Sequence, residues 1–142
     1  MFNHDSDSLC EALGLTPWEA EGSLMEIREL YFKSRTAGDF VERVIKLPTV
    51  ILALGILTLV LQTLDMVEQF YEEVPKVKDP LEGVFLGFSR QILSFKKKSI
   101  AVEWLCGWNK EALAYTLFET AQVSYKVFRV KREALECRRV KI

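Results

Sequence analysis

Lys46-Leu47-Pro48-Thr49-Val50-Ile51-Leu52-Ala53-Leu54-Gly55-Ile56-Leu57-Thr58-Leu59-Val60-Leu61-Gln62-Thr63-Leu64 is the stretch on which the fold turns. Pro48 has no N–H to donate and pushes Leu47 out of the helical region, so the chain must bend there. From Leu47 to Leu64 there is no charged side chain. As a helix, those residues span about 27 Å, just short of the hydrocarbon core of a bilayer. Such a run has two opposed readings. It is either a membrane span or a central helix, apolar all round because other helices surround it.

The flanks bear on that choice. Arg43 and Lys46 precede the run, while Asp65, Glu68, Glu72 and Glu73 follow it, which is the asymmetry of a single span. No Trp or Tyr stands at its start as an interfacial anchor. The neighbouring segments also carry apolar stripes that need a surface to pack on, and a central helix supplies one. The expectation is therefore an all-α fold, a bundle of five to six helices around a central apolar helix, with no membrane.

Helix signals surround the run. Thr16-Pro17-Trp18-Glu19 combines an N-cap, a Pro at the first helical position and a Glu three residues past the cap. Leu24, Ile27, Leu30 and Tyr31, then Phe40, Val41, Val44 and Ile45, recur at helical spacing. Ser34 to Asp39 threatens a break, so helices are expected near 17–35 and 39–46; a single helix over 17–46 stays open. Asp79 is read as the cap of a helix that starts at Pro80 and passes Phe85, Phe88, Ile92 and Phe95. Lys96-Lys97-Lys98 would close it with charges suited to its C-terminal dipole. A short helix over 99–107 follows. Asn109 then caps the last helix, with Leu113, Leu117, Ala121, Tyr125, Phe128 and Leu135 along one stripe. Residues 1–15 read as a polar tail and a short helix opened by Ser8-Leu9-Cys10-Glu11. Residues 16–142 read as a single helical-bundle domain.

Composition narrows the function. The 142 residues fit one domain, and 49% apolar with 27% charged residues suits a folded chain. Three cysteines without a Cys-x-x-Cys, and His4 as the sole histidine, argue against a disulfide framework and a zinc site. A reducing, cytoplasmic setting is expected, with no cofactor and no metal. No histidine serves the body of the chain as a general base, and no Gly-rich phosphate loop is present, so no catalytic residue is assigned. Cys106, between Trp104 and Trp108, is read as a buried apolar residue rather than a nucleophile.

Charge carries more information. Residues 1–85 hold seven Lys and Arg against fifteen Asp and Glu, whereas residues 86–142 hold twelve against five. The net charges are −8 and +7, behind an overall −1. A chain polarised in this way can bind an anionic polymer with one half and a basic partner with the other. The alternative is mutual neutralisation within the fold or a homo-oligomer. Candidate phosphate-binding residues are Arg90, Lys96, Lys97, Lys98, Lys126, Arg129 and Arg132, with Lys131, Arg138, Arg139 and Lys141 nearby. Lys126, Arg129 and Arg132 are spaced three apart and so share a helix face, although a solvated face is the ordinary meaning of such a run.

Phe40-Val41-Glu42-Arg43-Val44-Ile45-Lys46-Leu47-Pro48-Thr49-Val50-Ile51, followed by Gly55-Ile56-Leu57 and the apolar run, resembles the signature of a known family. That family is the small helical (Cmr-type) subunit of type III-B CRISPR effector complexes. The likeness extends to chain size, to an opening long helix and, loosely, to an aromatic followed by basic residues on the last helix, here Tyr125, Lys126 and Arg129. It is specific over about 25 residues. The chain departs from the family at Leu52, Ala53 and Leu54, where members place an Arg and a polar residue, so only Lys46 carries over as an RNA contact.

The resemblance implies a non-catalytic helical subunit that stacks along an effector complex beside guide or target RNA. Its partners would be the other subunits and the RNA backbone, with head-to-tail self-association through the acidic half. Two other readings stand beside it. One is a small membrane-associated protein with a span at 47–64, and the other is a helical protein–protein adaptor without affinity for nucleic acid.

Overall fold

The computed structural model describes the backbone of residues 14–73 and 80–140, and side chains over 14–67, 87–129 and 132–133. All regular structure within those bounds is helical. The helices are α1 (Pro17–Lys33), α2 (Ala37–Val44), α3 (Thr49–Glu73), α4 (Pro80–Leu93), α5 (Lys98–Cys106) and α6 (Lys110–Val140). The Ser8–Glu11 capping box, Cys10, the Asp79 cap, Leu135, Cys137 and the basic residues Lys131, Arg138, Arg139 and Lys141 lie outside the described side chains.

Local chemistry sets the boundaries. The Glu19 N–H donates to Thr16 Oγ1 at 3.2 Å, and Pro17 opens α1. The α1–α2 break falls at Ser34, whose hydroxyl donates to the Leu30 carbonyl at 2.7 Å. Thr36 caps α2 by accepting from the Asp39 N–H at 3.1 Å. Residues 17–46 are therefore two helices, but the cap at Thr36 puts Gly38 inside the second one rather than at the break. Leu47 donates to the Val44 carbonyl and Leu52 to that of Pro48, so the bend at Lys46–Pro48 passes directly into α3. Asn109 Oδ1 accepts from the Ala112 N–H at 2.7 Å and starts α6.

α3 is the central helix. Over Thr49–Val67, 72% of the residues are buried against the other helices. The apolar surface of this run is thus taken up by the protein's own core. α6 packs along α3 more extensively than any other element, α1 lies on another side, and α5 and α4 complete the surround. α3 is buried on nearly every side between Leu52 and Leu61, and Ala53, Ile56, Val60, Thr63 and Val67 are the positions among its buried residues that recur at three and four. On α6 the buried residues Leu113, Leu117, Thr120, Ser124 and Val127 do the same. A 3.5-residue repeat on both partners is the pattern that keeps one seam of a helix facing another. The seam is not wholly apolar. Thr120 donates to the Thr116 carbonyl at 2.7 Å and the Ser124 hydroxyl meets Met66 Sδ at 3.8 Å. The buried Thr63 hydroxyl has no hydrogen-bond partner among the described residues.

Three local expectations differ from the structure. Lys96–Lys98 do not close α4, which ends at Leu93; Lys97 is the N-cap of α5 without a side-chain cap bond, and Lys98 is its first residue. Positive charge at a helix start is unfavourable to the dipole, and Lys98 instead reaches Glu19 Oε2 of α1 at 3.7 Å. Cys106 is exposed, because α5 ends there and turns its buried side, Ala101 and Leu105, the other way. On α6, Tyr125 and Phe128 leave the core although Leu113, Leu117 and Ala121 lie in it. The stripe through Tyr125 advances in steps of four and winds about 40° per step around the helix, while the seam drifts only about 20° per seven residues, so these two rings end up to one side of it.

Candidate nucleic-acid interface

α1, α3 and α6 enclose an open cleft of about 270 Å³, lined mainly by apolar side chains. Tyr31 and Phe32 come from α1, Leu59 and Met66 from α3, and Ala121, Ser124, Tyr125 and Phe128 from α6. Arg28 stands at its edge, its guanidinium donating to Gln62 Oε1 at 3.5 Å.

An aromatic cluster forms the wall of this cleft. Phe40 of α2 is fully buried between Tyr31 and Phe118, with ring centroids 6.2 and 5.4 Å away. Tyr31 also lies 5.5 Å from Phe118 and 5.6 Å from Phe32. Phe32 meets Tyr125 edge-on at 5.5 Å. Such tilted and edge-to-face pairs suit the ring quadrupoles and hold each ring in place. Burial, and secondarily the nearby Tyr125 phenol, push the Tyr31 hydroxyl above the usual tyrosine range, so this ring stays neutral at any physiological pH.

The outer rings are positioned but not covered. Phe32 is 63% exposed, Phe128 55% and Tyr125 47%. Lys126, Arg129 and Arg132 are exposed on the same stretch of α6. Tyr125, Arg129 and Arg132 stand at i, i+4 and i+7 and share one face, with Phe128 and Lys126 to either side of it. Lys126 and Arg132 also interact within the protein. Flat apolar faces interleaved with cations are what single-stranded nucleic acid requires, since bases stack on the rings while phosphates meet the charges.

The other expected contacts lie elsewhere. Lys46 is exposed at the bend before α3. Seventeen residues of α3, a rise of about 25 Å, separate its start at Thr49 from Met66, the residue that meets Ser124 of α6. Lys96, Lys97 and Lys98 sit at the start of α5, beside Glu19. Thirteen residues of α1 separate Glu19 from Phe32, a rise of about 20 Å. Lys98 is partly neutralised by its acidic neighbour, and Arg90 is exposed near the end of α4. The structure brings together Lys126, Arg129 and Arg132 on one stretch of α6, whereas Lys46 belongs to the bend before α3, Arg90 to α4 and Lys96–Lys98 to the start of α5.

Phe32, Phe128 and Arg28 are not evident as site residues in the sequence. Phe128 follows the helical period of the core, and only the 3.5-residue seam reveals its displacement. Among the described residues no three His, Cys, Asp or Glu side chains converge on a point that could hold a metal ion. No family model matches the chain, and no curated protein and no solved structure matches it.

Proposed function

We propose that this chain is a non-catalytic RNA-binding and assembly subunit, of the kind the small helical subunit of type III-B CRISPR effector complexes represents. The observation that carries the proposal is the exposed stretch of α6. Tyr125 and Phe128 offer stacking faces there, with Lys126, Arg129 and Arg132 beside them. Tyr125, held edge-on by Phe32, loses little freedom on binding, and exposed rings beside cations favour a single-stranded partner.

The resemblance around Lys46-Leu47-Pro48 supports the same reading, since this motif turns the chain into a buried helix. That burial also weighs against a membrane span at 47–64. A helix already wrapped by protein would have to unpack the core to enter lipid. The intracellular setting and the partner subunits belong to the proposal as well.

The test is fluorescence anisotropy with a labelled single-stranded RNA. Binding weakens steeply with added salt, because each neutralised phosphate releases counterions. Lys126→Glu with Arg129→Glu abolishes the low-salt signal, while Lys96→Glu with Lys97→Glu leaves most of it. If the first pair of substitutions leaves binding unchanged, α6 is not the RNA surface.

A further inference from the structure

We propose that a second copy of this chain docks on the outer face of α1, giving a closed antiparallel pair centred on Met25. Trp18, Met25 and Phe32 recur every seven residues of α1, and they are 84%, 66% and 63% exposed. At helical pitch the three lie within about 20° of one line, which is roughly 21 Å long. Ala20, Leu24 and Ile27 occupy the opposite, buried side. Single exposed apolar residues need no explanation, but three large ones in line form a patch. Beside them Gly22 is exposed, and a β-carbon built there meets nothing within 4 Å, so a second helix can approach closely.

The charges choose the occupant and its direction. Glu21 and Arg28 both lie on one flank of the stripe, four residues before Met25 and three after it. Both are exposed. A two-fold axis through Met25 that reverses the helix brings Glu21 of one copy beside Arg28 of the other, twice over. The same operation sets Trp18 against Phe32 of the second copy and Met25 against itself. A parallel pairing sets the two Glu21 on opposite sides of the seam, and the two Arg28 likewise, so both Glu21–Arg28 contacts are lost. The arrangement is isologous and closes on itself, unlike the head-to-tail stack suggested by the charge split. Six large apolar side chains bury on the order of 1,000 Å², at the low end for a specific interface, so the pair dissociates readily. The inference is independent of the RNA reading. Phe32 and Arg28, which also donates to Gln62 at the edge of the cleft, belong to both surfaces.

Sedimentation equilibrium of the full chain, from low to several hundred micromolar, tests it. A monomer–dimer equilibrium without larger species is expected. Glu21→Arg or Arg28→Glu alone raises the dissociation constant about tenfold or more. An equimolar mixture of those two variants re-forms a dimer of near-native strength, because each mixed pair restores both contacts. Met25→Lys keeps the helix signal in circular dichroism and leaves a monomer. A chain that is monomeric throughout, species larger than a dimer, or a mixture no stronger than either variant alone would overturn the proposal.

Discussion

A β-carbon at Gly55 would stand 3.1 Å from Cγ1 of Ile27, so α1 and α3 meet over a stretch of bare backbone. Ile27 is itself buried and cannot easily give way. Gly55→Ala gains the helix preference of alanine, about 1 kcal/mol, but forces a contact whose overpacking costs about 1–3 kcal/mol. The expected net result is a loss of about 1 kcal/mol. Gly87, where an added β-carbon meets nothing within 4 Å, has no such opposing effect. Gly87→Ala therefore stabilises by up to about 1 kcal/mol. Urea midpoints of the two variants should move in opposite directions.

Thr63 offers a second stability test. Its hydroxyl is buried and unpartnered among the described residues, whereas that of Thr58, also on α3, donates to the Leu54 carbonyl at 2.8 Å. Thr63→Val removes an unsatisfied polar group and is expected to stabilise by about 1 kcal/mol. Thr58→Val loses a formed bond and should not. No gain from Thr63→Val in thermal denaturation would mean that the Thr63 hydroxyl is satisfied after all.

The rings of α6 can be separated from its charges. Tyr125→Ala and Phe128→Ala each remove one stacking face and should weaken RNA binding by about 1–3 kcal/mol. The slope of affinity against salt should stay as it is, since no phosphate contact is lost. Tyr125→Phe keeps the face and should bind as the parent does. Arg129→Glu, by contrast, should reduce the slope. Anisotropy titrations at several salt concentrations give both quantities.

Asp39 makes α2 sensitive to acid. The Arg35 backbone N–H donates to its carboxylate at 3.3 Å and the Arg43 Nε at 3.2 Å, and these two contacts hold its pKa below the usual carboxylate value. A lowered folded-state pKa means a contribution that is complete above the unfolded value and fades as pH falls through the folded one. The carboxylate is only partly covered and keeps contact with solvent, so the effect is small. Carboxyl NMR titration should find Asp39 ionised at a pH where free aspartate is protonated, and Arg43→Ala should bring it part of the way back. Glu29 should behave likewise, through the Lys33 ammonium at 2.7 Å.

Much of the fold was legible because it depends on local chemistry. Thr16-Pro17 and Asn109 act as the caps their residue types suggest, and Pro48 bends the chain where an imino acid must. The burial of the apolar run was legible too, from the stripes left without a partner. Features set by distant contacts were not. The lysines at 96–98 look like a helix end until α1 supplies Glu19 to meet them at the start of α5. Tyr125 and Phe128 keep the core's period, and only the seam against α3 decides that they face water. The candidate site was half legible for that reason. Its cations stand out in the sequence, while its aromatic wall needs Phe32 to be brought from ninety residues away.

The α3–α6 seam sets an order of events as the chain is made. Met66 touches Ser124 across 58 residues of sequence, so the ribosome delivers the stickiest helix well before its principal cover. At about 5–20 residues per second, that delay lasts roughly 3–12 s. Through that interval the nascent chain exposes a long apolar segment to a crowded solution. Its yield in the cell should therefore follow chaperone supply and translation speed, even in variants whose finished fold is no less stable.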